Sequence, residues 1–201
     1  MIVAGATTET SDFSFRSDRL CLDFAATLLF RATEQPRELL DSAAALSAWA
    51  TASGALSRAA RCEEADLALA VALREAIYRL AAASIAGRTP ASGDLQVLNH
   101  HGRLAAVAVA LHDDCALTRT GSIAAVLASI ARDAIELLGG RDAYRLRQCG
   151  RDGCTRMFVD RSRGGNRAWC GMRECGNRVN AAAYRRRKHR TTASAEIRAS
   201  T

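Results

Sequence analysis

The segment that decides the fold is Cys149-Gly-Arg-Asp-Gly-Cys154-Thr-Arg-Met-Phe-Val-Asp-Arg-Ser-Arg-Gly-Gly-Asn-Arg-Ala-Trp-Cys170-Gly-Met-Arg-Glu-Cys175-Gly-Asn-Arg178. Its cysteines form a C-x4-C-x15-C-x4-C array. Two close pairs separated by a hairpin-sized stretch can bring four thiolates to one tetrahedral zinc ion, whereas a disulfide needs only two partners at a time. The spacing therefore predicts a structural zinc module. Between the pairs, Met157-Phe-Val159 and Ala168-Trp169 are expected to form two short strands around a Gly164-Gly165-Asn166 turn. The stretch from Asn177 to Arg190 is rich in alanine and arginine and reads as a helix. A cysteine-bearing turn, a hairpin and a helix carrying the last ligands at its N-terminus describe a treble-clef-like finger.

Working outward, the charge is concentrated on this finger. Residues 141–190 hold 15 Lys and Arg against four acids, and the rest of the chain 13 against 17, within a total of +7. A basic run by itself describes a solvated tail. Here it continues a helix that a metal site would hold rigid, which is what a nucleic-acid surface requires. We expect Arg185, Arg186, Arg187, Lys188 and Arg190 mainly to neutralise phosphates, with Arg178 and Asn180 nearer the bases and Tyr184 able to contact either. Two alternatives stay open at this point, an RNA-binding module and a zinc-dependent protein-interaction module. For Asn177 a helix cap is an equal alternative to a contact, and Val179 and Ala183 are placed to face the hairpin. Phe158 and Trp169 read as the finger's small core, and Asp160 with Arg167 as a pair across the hairpin.

The whole chain of 201 residues is 49% hydrophobic with two prolines, enough apolar content to bury a core. The part before the finger is the larger share of it. It reads as mainly helical, with helices expected over Leu20–Arg31, Pro36–Ser53, Glu63–Ala86, Asp94–Arg103 and from Ser122 to Leu138. A hairpin is expected from Ala105–Leu111 and Cys115–Thr120. Gly139-Gly140 marks the expected boundary between residues 1–140, a helical sensing or dimerisation domain, and residues 141–201, the finger with its basic helix and tail. The fold class is thus mainly α with one small β-hairpin, plus a small C-terminal finger. The longest apolar run, Leu104–Leu111, is far short of the roughly 18 residues a membrane span needs, and residues 1–12 lack a basic start and an apolar stretch. With seven cysteines, an odd number, a reducing cytoplasmic setting is expected. His100, His101, His112 and Asp23 form no metalloprotease or nucleophile-elbow pattern, and no histidine lies between Cys149 and Cys175, so no enzyme is expected.

The segment from Cys149 through Phe158, Asp160, Ser162-Arg163, Trp169-Cys170 and Cys175-Gly-Asn-Arg178 resembles the CGNR zinc finger of bacterial proteins. Upstream, Leu20-Cys-Leu-Asp-Phe24 followed by Thr27 resembles the ABATE domain that precedes this finger. In that family an asparagine tends to stand before the threonine, where this chain has Ala26. The resemblance implies a stress-induced transcription regulator in which the finger binds DNA and the helical domain senses an effector or dimerises. A single finger offers little contact area, so a homodimer is expected as well.

Overall fold

The computed structural model of the chain describes residues 13–182, 184–186 and 188. Its elements are α1 (Leu20–Ala25), β1 (Leu28–Leu29), β2 (Arg37–Glu38), α2 (Ala43–Ala52), α3 (Glu64–Ile85), α4 (Ser92–Gly102), β3 (Ala108–Leu111), β4 (Leu117–Thr120), α5 (Ile123–Gly139), β5 (Leu146–Gln148) and β6 (Met157–Val159). A π-helical turn, Met172–Gly176, leads directly into a final helix, α6, over residues 177–182, 184–186 and 188.

The helices start and stop where side chains can satisfy their free backbone groups. Ser42 Oγ accepts the Ala45 N–H at the start of α2, and Ser122 Oγ accepts the Ala125 N–H at the start of α5. Asp66 accepts the Glu63 N–H at 3.0 Å to open α3, and Gly87, at φ +62°, follows its C-cap. Along α5, Ile123, Val126, Leu127, Ile130, Ala134 and Leu137 recur at helical spacing and are all buried. They join α1, α3 and α4 around a core in which the Phe24 and Trp49 rings meet at 5.0 Å, tilted by 59°.

Two helices differ from the expectation, for reasons in the same region. The helix expected over Leu20–Arg31 stops at Ala25, because Thr27 Oγ1 and Arg31 Nη2 donate to the Phe24 and Ala25 carbonyls. Pro36 precedes a strand, not a helix, and the helix begins only at Ala43. Glu38 holds this stretch extended: its carboxylate accepts the Leu40 N–H at 2.8 Å and receives both terminal nitrogens of Arg74. Arg74 rises from α3, is 2% exposed, and donates through Nε to Glu75, which also pairs with Arg31. A network of charges, not an apolar face, therefore fastens the β1–β2 ribbon to the helical core.

Three two-stranded antiparallel sheets are present among the described residues: β1–β2, β3–β4 and β5–β6. The β3–β4 hairpin lies where the sequence placed it. The finger's hairpin does not: β6 pairs with β5, Leu146 opposite Val159, and residues 168–169 form no strand. Asp160 takes the Ser162 and Arg167 N–H groups on its carboxylate, so the returning chain is tied by a side chain and cannot form a ladder. Leu146, Met157 and Val159 belong to the same buried cluster as α3 and α5, so the finger's hairpin closes the end of the main core.

Replacing Arg74 with methionine should cost about 2–3 kcal/mol. That is less than the roughly 3–5 kcal/mol for a fully enclosed pair, because the Glu38 side chain keeps 34% of its exposure and can be rehydrated. Urea unfolding measures this, and a change below about 0.5 kcal/mol would contradict the role assigned to the network.

Candidate metal centre and basic helix

Cys149 and Cys154 flank the turn between β5 and β6, where Gly153 adopts φ +73°, a conformation that favours glycine. Cys170 precedes the π-helical turn and Cys175 lies inside it. The four sulfurs all lie within 4.8 Å of one another, the one such group of metal-ligating side chains among the described residues. Cys170 and Cys175 stand 3.5 Å apart, Cys154 and Cys175 3.8 Å, and Cys154 and Cys170 4.0 Å. A tetrahedral zinc ion with bonds of about 2.3 Å to sulfur requires ligand separations of about 3.8 Å. The donor set therefore fits zinc in both chemistry and spacing, and four ligands leave no position for a reacting water.

The surroundings prepare these thiols to act as a group. The Cys170 N–H donates to Cys149 Sγ at 3.4 Å and Arg151 Nη1 to Cys175 Sγ at 3.8 Å. Hydrogen bonding from Cys170 draws the Cys154 thiol well below its ordinary value, and the same contact with burial pushes Cys170 upward. Burial raises Cys149. Phe158, fully buried, packs with the cysteines, and Trp169 covers them in part, as the sequence suggested.

Arg167 corrects one expectation. Its guanidinium does not pair with Asp160. It lies 4.3 Å from the centroid of the Phe158 ring, donates to the Trp169 and Cys170 carbonyls, and crosses to the N-terminal segment, to Asp18 at 2.7 Å and the Arg16 carbonyl at 3.0 Å. Arg156, almost fully buried, makes a second crossing through Nη1, to the Ser14 carbonyl at 2.8 Å and Asp23 at 3.4 Å. Asp23 also accepts the Arg16 and Ser17 N–H groups. Burial raises the Asp23 carboxyl and lowers the Arg156 guanidinium from their ordinary values. Sequence reading missed both arginines as bridges, since nothing local marks a contact 133 residues away.

The basic helix follows without a break from the last cysteine. Asn177 has φ −63° and ψ −36°, so it sits within a continuous helical run and is not an N-cap. Asn177, Arg178, Asn180, Tyr184, Arg185, Arg186 and Lys188 are exposed, and Val179 is half-buried. Ala183, Arg187 and Arg190 lie outside the described residues. The catalytic candidates do not assemble: His112 Nε2 meets Thr118 Oγ1, Asp23 is committed to Arg156, and His101 is buried beside His100. No helix among the described residues is long and apolar enough to cross a membrane.

Comparison with known families matches residues 18–141 to ABATE, described as "Putative stress-induced transcription regulator", and residues 145–188 to the CGNR zinc finger. A search of curated proteins finds no match. Both families are of regulatory or zinc-finger type. With 124 of its 201 residues under the first model and the four-cysteine cluster under the second, the chain belongs to the ABATE family and ends in a CGNR zinc finger.

Proposed function

We propose that the protein is a cytoplasmic, bacterial transcription regulator that binds DNA through α6 and holds that helix in place with a structural zinc ion on Cys149, Cys154, Cys170 and Cys175. Bound zinc would supply folding energy and no catalysis. The observation that carries this reading is the position of Cys175 inside the turn that starts α6. One ligand would fix the origin of a helix whose exposed positions include Arg178, Asn180, Tyr184, Arg185, Arg186 and Lys188. Arg178, Asn180 and Tyr184 stand closest to this anchor and suit base edges. Arg185 to Lys188, with Arg190, extend the positive charge along the phosphates.

Metal removal tests the first half. A strong chelator should unfold the finger and move the emission of Trp169, which covers the cysteines, while Trp49, buried in the helical core, keeps its own. Emission from a Trp49→Phe variant that is unchanged by chelation would contradict the zinc role.

Five to seven neutralised phosphates give a slope of log K against log salt of about −4.5 to −6. Changing Arg185, Arg186 and Lys188 together to alanine should weaken binding on every sequence and make the slope about 3 units shallower. A wild-type slope near zero would defeat the electrostatic reading, and preference for RNA over duplex DNA in competition would favour the RNA-binding alternative.

A second copy suits the open edge of β3. His112 and Ala116 form a hydrogen-bonded pair, so alternation along the ladder turns the backbone groups of Val109 and Leu111 outward. The far side of β4 is taken, because Arg119 exchanges two hydrogen bonds with Ser57. β3 is uncharged, has no second neighbour among the described residues, and pairs with itself about a two-fold axis at Ala110 without opposing like charges. Val109, Leu111 and Leu117, exposed by 61, 72 and 48%, would meet their counterparts on one face. A four-residue strand and three exposed apolar side chains offer few contacts, which predicts a weak, concentration-dependent dimer joining two fingers. Sedimentation over micromolar concentrations should show that dimer and its loss in Val109→Lys. A wild-type monomer throughout, or an unaffected variant, would contradict it.

A further inference from the structure

A cavity of about 420 Å³ lies where the chain after α1 faces the sulfur cluster, within the roughly 300–1,000 Å³ range of small-molecule pockets. Leu28, Leu29 and Phe30 give it an apolar wall. Phe30 holds φ +54°, a left-handed conformation unusual for a bulky residue, so the backbone is strained at the cavity. Ser14 is also on the wall, and its Oγ is shielded from solvent with no hydrogen-bond partner among the described residues. An orphaned hydroxyl and a strained aromatic at one cavity are features that packing alone leaves unexplained.

The charges around the cavity select among ligands. Arg16 pairs with Glu174 and Arg156 with Asp23, so these four groups cancel. Arg151, within 5.7 Å of the Phe30 ring centroid, has no carboxylate partner among the described residues and contributes one positive charge. Four thiolates around a divalent ion would contribute two negative charges, and Arg151 lies beside them, its Nη1 donating to Cys175 Sγ at 3.8 Å. The sum is close to −1, which repels an anion, while a cation would have to sit against Arg151. Neither sign of ligand is favoured. An uncharged molecule with one oxygen acceptor satisfies Arg151, can engage the Ser14 hydroxyl once that side chain turns into the cavity, and lays its hydrocarbon body against Leu28, Leu29 and Phe30.

We propose that this cavity is the effector site and that its ligand is a small uncharged carbonyl compound with an aromatic or aliphatic body. The assignment rests on the reading that the cysteines hold zinc, since the cage supplies the negative charge that excludes acids. Occupancy would bear on Glu174, which lines the cavity and lies in the turn that opens α6. The site therefore connects the ABATE motif to the basic helix.

Fluorine NMR of the full-length, zinc-loaded protein tests it with three probes of one size: para-fluoroacetophenone, para-fluorobenzoate and para-fluorobenzylamine. The ketone should broaden saturably, and the acid and the amine should bind about tenfold more weakly or not at all. Leu29→Trp, which narrows the cavity on its apolar wall, should weaken ketone binding at least about tenfold. Arg151→Gln, which keeps the volume and loses the charged donor, should weaken it roughly tenfold. Circular dichroism checks that both variants fold. Absence of ketone binding, tighter binding of the acid, or a ketone affinity unchanged in both variants would overturn the proposal. Zinc content measured on the same samples keeps the two readings apart. Metal-free protein that still takes the ketone counts against the zinc reading alone, and zinc-loaded protein that ignores it counts against the cavity alone.

Discussion

Four sulfur atoms drawn within 4.8 Å of one another impose the constraint on which the finger depends. As thiolates they repel, and as thiols they can satisfy one another only by weak hydrogen bonds, so neither state holds the cluster together strongly. A divalent ion at their centre would convert the repulsion into four bonds. The segments so joined are short: a three-residue strand pair, a turn and the start of a helix, with Phe158 as the one fully buried aromatic. So little apolar surface cannot offset the entropy of ordering the chain without a cross-link. In the proposed zinc-bound form the orientation of α6 would follow from the same bonds, since Cys175 lies in the turn that opens it.

The finger is nonetheless not an isolated unit. Val159 and Met157 point into the main core, Val159 N–H donates to the Ser17 carbonyl, and Arg156 and Arg167 reach back to Ser14, Arg16, Asp18 and Asp23. Asp23 lies in the Leu20 to Thr27 stretch that resembles the ABATE motif, and its carboxylate meets an arginine of the finger, Arg156. Buried pairs of this kind add little net stability, but separating them leaves charges stranded in an apolar setting. The two segments therefore hold one arrangement. A ligand seated between them would act on that arrangement directly.

Much of this architecture is legible in the residues. Helices α3, α4 and α5 announce themselves by apolar periodicity and by glycine or serine at their ends, and the cysteine spacing alone identifies the metal site. Where reading failed, specific side-chain hydrogen bonds, some near in sequence and one 36 residues away, had replaced backbone preference. Thr27 and Arg31 end α1 early, Arg74 draws Glu38 into a strand, and Asp160 prevents residues 168–169 from pairing with β6. The partner strand β5, Leu146-Arg-Gln148, carries no alternating pattern that would reveal it. The cavity too was beyond reach, because its walls come from segments more than a hundred residues apart.

X-ray absorption at the zinc edge, on protein purified without added metal, tests the sulfur cage most directly. The account predicts one zinc per chain with four sulfur neighbours at about 2.3 Å and no oxygen or nitrogen in the shell. A metal-free protein, or a zinc ion with fewer than four sulfurs, would contradict it.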